Sequence, residues 1–584
     1  MRNREIAKIL YGLADYLEMD GVAFKPYAYR KAAMSLEALE EDVDDIYKKG
    51  GNKALEEIPG VGKNIAERIE EYLKTGEVKY YNQFKKKLPL NVEELVGVEG
   101  MGLKKIKVLY QMLGIRDLKS LEKAAKEHKI APLFGFGAKT EKNILEGITF
   151  LKRSKGRVLL GEILPEVEEI LVKLKGLKEV GKISFAGSIR RMKETIGDAD
   201  ILVTTKNPKK VMDFFVRLPG MVKVWGKGST KASVRLKEGF DVDLRAVREG
   251  SYGSALQYFT GSKEHNIALR RVAIGKGLKL NEYGLFKGKK AIAGKDEQGI
   301  YKALGLALIT PEMREGQGEI EAAQNRKLPD IIEYKDIKGD LHCHSSWNGG
   351  ADTIWKMAMA AKERGYEYIG ISDHTKFLRI EHGLNEKQLE KQRKEIDKLN
   401  SKLSRFAGSR AAGKIQNLKF RILQGCEANI LKDGAIDIKD EALAKLDYVI
   451  AGIHSSFKME KAEMTERMIK AMRNKNVDII SHPTGRILKR RDEYLIDFDR
   501  ILEVAKETGT ILEINSSPDR LDLNDQNIRK AKEMGVKMII NTDSHQKEQL
   551  GLISFGISQA RRGWAEKKDI INSQSLDKLL KFFK

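Results

Sequence analysis

Apolar and polar positions change rhythm along the chain. In LEEIPGVGKNIAERIEEYLKTGE (Leu55 to Glu77), Ile65, Ile69, Tyr72 and Leu73 recur at helical spacing, behind a turn containing Gly60 and Gly62. The phrase predicts helix, glycine turn, helix, and it returns as LVGVEGMGLKKIKVLY (Leu95 to Tyr110, with Gly100 and Gly102) and as LFGFGAKTEKNIL (Leu133 to Leu145, with Gly135 and Gly137). From Ile183 the period falls to two. ISFAGSIRRMKETIGDADILV predicts a strand, a Gly-Ser turn and a second strand led by Asp198 and Asp200, and GFDVDLRAV predicts a third carrying Asp241 and Asp243. Strand alternation puts each aspartate pair on one face. Beyond Lys338, short apolar runs alternate with helical stretches such as TIWKMAMAAKERG, and the runs end in histidines or acids: GDLHCH, YIGISDH, ILQGCE, VIAGIH, VDIISH, IINTDSH. That order predicts a parallel barrel whose active face lies at the strand C-termini. Two stretches break the rhythm: Gly316 to Lys338, polar and charged, reads as a linker, and Ser401 to Lys414 (SKLSRFAGSRAAGK) as an irregular basic loop.

Composition narrows the partners. A chain of 584 residues is too long for one core, so several domains are expected. The net charge of +23 comes from 107 Lys and Arg spread along the whole length, which favours a polyanion; nucleic acid ranks first and an anionic membrane surface second. No window holds the roughly 20 apolar residues of a transmembrane helix, and MRNREIAKILYGLADYLE lacks the apolar core of a signal peptide, so a cytoplasmic protein with no membrane partner is expected. Only Cys343 and Cys426 occur, each beside a candidate metal ligand, which argues against a disulfide framework. The charged fraction of 33% is high, as in some thermophiles.

The motifs then suggest chemistry. Glycines at helix N-termini let backbone N–H groups approach a phosphate, giving DNA contact without base readout. Asp198, Asp200 and an aspartate of the third strand form an oxygen-rich set suited to Mg²⁺ or Mn²⁺, beside a turn (Gly187, Ser188) and cations (Arg190, Arg191) suited to phosphates. Of the nine histidines, only His128, His265 and His382 lie away from the predicted strand ends, a clustering that points to metal binding.

AYRKAA, IPGVGKNIAERI, GSIRRMKETIGDAD, VDLR, YFTG and NEYGLF, in this order, resemble the family X DNA polymerases over roughly the first 316 residues. The resemblance implies a nucleotidyltransferase palm with catalytic metal ligands Asp198, Asp200 and Asp243, leaving Asp241 outside the set. It implies that Ser188 and Arg191, with Gly187 and Arg157 assisting, hold the triphosphate of a deoxynucleotide. Tyr258, Phe259 and Gly261 would line the sugar, Asn266 would reach the base and Arg270 the template of a gapped or primer-template DNA.

The strand-end histidines and acids beyond residue 336 resemble the PHP family of metal-dependent phosphoesterase barrels. The implied ligands of Zn²⁺ or Mn²⁺ are His342, His344, His374, Glu427, His454, His482, Asp543 and His545. A ninth, normally the aspartate of an SDG phrase, is replaced by Asn348, Gly349 and Gly350, with Asn348 or Asp352 as substitute oxygen donors. The expected architecture is multidomain α+β and α/β: a helical helix-hairpin-helix region (1–80), a second, fingers-like one (81–150), palm (151–247), thumb (248–316), linker (317–335) and a distorted (β/α) barrel (336–584). The expected function is gap-filling DNA polymerase, as a monomer, with 3′–5′ exonuclease and, as a further activity the PHP resemblance implies, abasic-site cleavage in the barrel. Two rivals stay open: an enzyme that is chiefly a nuclease or phosphoesterase, and a DNA-binding scaffold with a structural barrel. In family members that excise 5′-deoxyribose phosphate, a hairpin lysine forms a Schiff base; the matching position here is Arg68, which cannot form an imine, although Lys31 and Lys63 lie in related positions. Borohydride trapping on incised abasic DNA is therefore expected to yield little adduct; efficient trapping would overturn that expectation.

Overall fold

Helices fill the first part of the chain, from Arg2–Met19 to Gly137–Arg153. The computed structural model describes residues 2–583 except 38, 40, 97, 99–100, 154–156, 379–381 and 408–419, so Gly100 of the second hairpin lies outside the described residues. In the first hairpin, helices Val43–Glu56 and Lys63–Thr75 flank the turn, whose Ile58 and Val61 are buried. Gly60 has φ +80°, and a Cβ there would lie 2.8 Å from Lys31 Cγ, so glycine is required on both counts. Gly62 and Gly102 are the residues just before helices Lys63–Thr75 and Leu103–Leu113, with no side chain capping the first amides. Gly135 and Gly137 have positive φ at the exposed start of helix Gly137–Arg153. One apolar cluster runs from Ile6 to Ile148, and Tyr16 donates to the Leu90 carbonyl at 3.1 Å, so residue 80 marks no break in the core.

The palm is a five-stranded sheet in the order Val180–Phe185, Asp198–Thr205, Asp241–Val247, Lys231–Leu236, Met221–Lys227. The two aspartate strands are parallel neighbours in register Asp198↔Asp241 and Asp200↔Asp243. Helix Tyr252–Thr260 lies against this sheet, where Tyr252, Ala255 and Leu256 join Ala186 and Leu202. Residues 263–323 build a smaller core around Leu269, Ile300, Tyr301 and Met313.

Two predictions about connecting segments need correction. The expected linker is folded: helix Glu319–Gln324 buries Ile320 and Ala323 in this smaller core, and Glu319 bonds His265 Nδ1 at 2.7 Å. Its polar composition concealed one apolar face and a buried carboxylate with a partner. Of the expected loop at 401–414, residues 401–407 complete helix Glu386–Ala407, and positions 408–414 lie outside the described residues.

The C-terminal strands are parallel. Gly339–Cys343, Tyr368–Ile371 and Arg421–Gln424 form one sheet; Glu427–Asn429, Ile450–Gly452, Ile479–Ile480, Ile511–Asn515 and Met538–Asn541 form the other. Gly425 N–H still donates to the Ile371 carbonyl at 2.8 Å, so Arg421–Gln424 and Glu427–Asn429 occupy one kinked strand position. His344 N–H donates to the Ser544 carbonyl at 2.7 Å and closes the ring. Its interior is packed by Leu341, Tyr368, Leu423, Tyr448, Ile450, Ile479, Ile511 and Ile539. A Cβ on Gly370 would lie 2.1 Å from Tyr448 Oη and 2.9 Å from Leu341 Cα. Gly370→Ala is expected to lower the thermal midpoint by an amount equivalent to about 1–3 kcal/mol. Gly226→Ala, with nothing within 4 Å of the added carbon, should leave it unchanged.

Candidate active sites and metal centre

In the palm, the turn after strand Val180–Phe185 presses on the aspartates. Gly187 has φ +62°, and a Cβ there would lie 2.6 Å from Asp200 Oδ2, so this turn and the carboxylates share one site. Burial, and then the neighbouring Asp198 and Asp243 charges, push Asp200 up to about 6. Three carboxylates crowded in this way are destabilised by one another unless a cation lies among them, which is the donor set a divalent ion fits. Asp243 receives Lys231 Nζ at 2.8 Å and a short bond from the Ser233 hydroxyl. Asp241 is occupied otherwise, forked by Arg235 at 2.8 and 2.9 Å and bonded by Trp225 Nε1 at 2.8 Å.

The arginines beside the turn are held by carboxylates from the thumb side. Arg190 donates to Glu297 at 2.9 and 2.6 Å, and buried Arg314 donates to the same carboxylate at 2.6 Å. Burial alone would raise Glu297, yet Arg314 and Arg190 hold it down at about 2. Arg191 donates through Nε to Glu315 at 2.9 Å and makes a short bond to the Thr260 carbonyl. Ser188 and Gly187 begin the short helix Gly187–Arg190. Arg157 is exposed and donates through Nε to Thr195 Oγ1 at 3.0 Å. Tyr258 and Phe259 stack edge to face at 5.1 Å, Arg245 covers the Phe259 ring, and Asn266 Nδ2 donates to the Tyr258 carbonyl at 2.7 Å. Gly261 has φ +71° and passes close to Arg191. Arg270 is half-buried on helix Lys263–Gly275. The lysine-to-arginine position, Arg68, lies beside the first hairpin with its guanidinium 4.9 Å from the Tyr80 ring and 3.6 Å from Glu71.

The barrel site is centred on Glu427, which is 1% exposed. Its oxygens lie 3.3 Å from His342 Nε2, 3.7 Å from His344 Nε2, 2.8 Å from His374 Nδ1, 3.2 Å from His454 Nε2 and 3.0 Å from His482 Nε2. Asp543 adds oxygens 3.1 Å from His344 and 3.5 Å from His342, and His545 stacks on His344 at 4.2 Å. Ring nitrogens and carboxylate oxygens thus converge, and His342 Nε2, His374 Nδ1 and Glu427 Oε2 make no hydrogen bond among the described residues. Buried polar atoms left so are costly, and this donor set fits divalent ions. Three overlapping groups have their ligand atoms within 4.8 Å: His344, His374 and His545; His342, His344, Glu427 and Asp543; and His374, Glu427 and His454. His482 lies outside these three groups and meets Glu427 through Nε2, with its ring edge-on to His454 at 5.3 Å.

Outer partners aim the rings. His342 Nδ1 donates to Glu513 at 2.7 Å, His454 Nδ1 to Asn429 Oδ1 at 2.8 Å, and His545 Nδ1 to the Asp543 carbonyl at 2.9 Å, leaving Nε2 as the free lone pair in each case. Burial pushes His342 down, but Glu513, Glu427 and Asp543 together carry it well above its usual range; burial and the neighbouring His545 and His374 press His344 well below. Burial also opposes the Glu427 charge, and His342, His374 and His454 hold its carboxyl far down. The substitute ninth ligands are employed elsewhere: Asn348 Oδ1 accepts the His374 amide at 3.0 Å, and Asp352 accepts the Lys547 amide at 3.0 Å and faces Lys356 at 3.4 Å. Asp373, beside His374, accepts Ser345 and Gln392 instead. Sequence reasoning missed Glu513, Asn429 and Arg520, whose Nε is 4.0 Å from Asp543. An acid within the apolar run ILEIN was the available signal for Glu513.

Fold and site define a polymerase-beta-type chain carrying a C-terminal PHP barrel with a candidate metal centre. Family models match as helix-hairpin-helix domain over residues 1–78, SAM-like helix-hairpin-helix tandem over 92–149, DNA polymerase beta thumb over 255–315 and PHP domain over 340–517. The chain is 38% identical over 589 aligned residues to the DNA polymerase/3′-5′ exonuclease PolX of Bacillus subtilis, covering 100% of both, and it belongs to that PolX family. The barrel is also similar to proteins named as probable phosphatases: 41% identity over 135 residues, 21% of this chain and 50% of the relative, in Caldanaerobacter subterraneus, and 28% over 221 residues, 36% and 81%, in Acetivibrio thermocellus.

Glu513 accepts from His342, from the His482 amide at 2.8 Å, and from Asn541 and Asn515 at 3.0 and 3.2 Å. All are donors, so an amide here would face its own N–H₂ toward N–H groups. Glu513→Gln should weaken metal binding in the barrel by about 10- to 100-fold. Metal content after dialysis against graded Mn²⁺ concentrations checks this, with templated extension unchanged.

Proposed function

We propose that the chain is a DNA-directed DNA polymerase that fills gaps, with a 3′–5′ exonuclease in its barrel. The observation that carries the polymerase reading is the contact of Gly187 with Asp200, which joins a phosphate-binding turn to a carboxylate triad. Asp198, Asp200 and Asp243 would hold Mg²⁺ or Mn²⁺, which supplies charge stabilisation to the transferring phosphoryl group. Ser188 and Arg191 would bind the triphosphate, with Gly187 and Arg157 beside it. Tyr258, Phe259 and Gly261 would bound the sugar, Asn266 the base and Arg270 the template. Gly60, Gly62, Gly102, Gly135 and Gly137 would let backbone amides meet DNA phosphates on either side of the gap.

In the barrel, His342, His344, His374, Glu427, His454, His482, Asp543 and His545 would hold Zn²⁺ or Mn²⁺, which supplies Lewis acidity toward a phosphodiester. Glu513, Asn429 and the Asp543 carbonyl fix the rings, and Arg520 gives the rim a cation for the scissile phosphate. Gly349 at the place of the usual aspartate, with Asn348 Oδ1 committed to the His374 amide, favours a second reading, a barrel that binds metal for stability without turnover.

A 5′-labelled primer on gapped DNA with Mn²⁺ tests both sites. Extension with nucleotides should fall on the order of 10²- to 10³-fold in Asp243→Ala, the scale for losing one charge-stabilising group, while shortening without nucleotides persists. Glu427→Gln should show the reverse. Surviving extension in Asp243→Ala refutes the triad, and a wild type that never shortens the primer favours the second reading.

A further inference from the structure

The barrel helix Ile553–Arg562 reaches the palm turn. Phe555 packs on the palm core, and a Cβ on Gly161 would lie 2.3 Å from Pro518 Cβ, so the two domains meet without a gap. At this junction Arg562 is 2% exposed. It donates through Nη1 to the backbone carbonyl of Arg191 at 3.1 Å and to Glu315 at 2.9 Å, while Nη2 makes a short bond to Asp525. Three residues on, Glu194 accepts Gln559 Nε2 at 2.7 Å and a short bond from Arg486. Between these holds, Met192 has φ +52°, a conformation that a non-glycine residue keeps only when its surroundings enforce it.

We propose that Arg562, a residue of the barrel domain, is a positioning residue for the polymerase: it fixes the segment after Arg191 and sets the charge of Arg191 for triphosphate binding. Glu315 is the pivot. Its carboxylate lies 2.9 Å from Arg191 Nε, 2.9 Å from Arg562 and 3.6 Å from Lys193. Glu315 and, through Arg562, Asp525 set two negative charges against three cations, which leaves the cluster containing Arg191 one net positive charge. With Arg562 gone, the same carboxylate pairs with Arg191 more fully and competes with an incoming anion. The Arg191 carbonyl also loses its tether, so the Gly187–Arg191 turn shifts relative to Asp200. The barrel thereby acts on nucleotide affinity from a helix that contributes no ligand to its own metal site.

This inference rests on the assignment of Arg191 to the triphosphate. Gap-filling kinetics with the full chain test it, using Arg562→Met, Arg562→Lys and Arg191→Ala, with nuclease activity and thermal midpoint followed on each preparation. Arg562→Met should raise the KM for deoxynucleotide about tenfold while changing kcat far less, the pattern of lost ground-state binding. Primer shortening should stay at the wild-type rate, and Arg562→Lys should recover part of the loss. An unchanged KM in Arg562→Met beside a raised KM in Arg191→Ala overturns the positioning role alone. An unchanged KM in Arg191→Ala shows that the triphosphate assignment failed instead. If Arg562→Met does not fold, Arg562→Gln, neutral yet able to donate to the Arg191 carbonyl, takes its place under the same criteria.

Discussion

Glu427 carries a charge in a place where water is excluded, and the barrel is built around that fact. An ionised carboxylate at 1% exposure is tolerable only with compensating charge at close range. Five imidazoles supply the near neighbours from four strand ends, His342 and His344 sharing one, and a ring of parallel strands brings those ends together. The ring in turn sets limits on its lining. A Cβ on Gly452 would lie 2.5 Å from Ser481 Oγ and 3.0 Å from Glu427 Oε1, so a glycine ends that strand. Glu513, itself buried, accepts four donors and turns the His342 ring toward the centre.

The palm meets the same constraint with fewer groups. Asp200 is pushed up by burial and by two neighbouring carboxylates, with Arg245 and Lys231 opposing the shift, while the turn's own Arg190 and Arg191 are held by Glu297 and Glu315. That diversion matters. Arginines forked directly onto the triad would compete with a divalent ion, whereas arginines held beside it by glutamates do not. Glu297 binds Arg190 to Arg314, and Glu315 binds Arg191 to Arg562, so the Gly187–Arg191 turn is supported from the thumb on one side and from the barrel on the other.

What could be read from the sequence follows the range of the interactions involved. Asp198, Asp200 and Asp243 sit in period-two strands, and the histidines end apolar runs, so local patterning placed them on one face or at one end. Gly60 and Gly187 were legible for the same reason, since a glycine inside a motif marks a close approach. Glu315, Glu319 and Arg562 were not. Each is a charged residue in a stretch whose composition reads as surface, and each is buried only because its partner arrives from far along the chain: Arg562 and Arg191, or Glu319 and His265. Burial of charge by pairing leaves no periodic trace. The chain between thumb and barrel therefore read as a polar linker, although Glu319 within it anchors His265, and Glu315 just ahead of it joins Arg191 to Arg562.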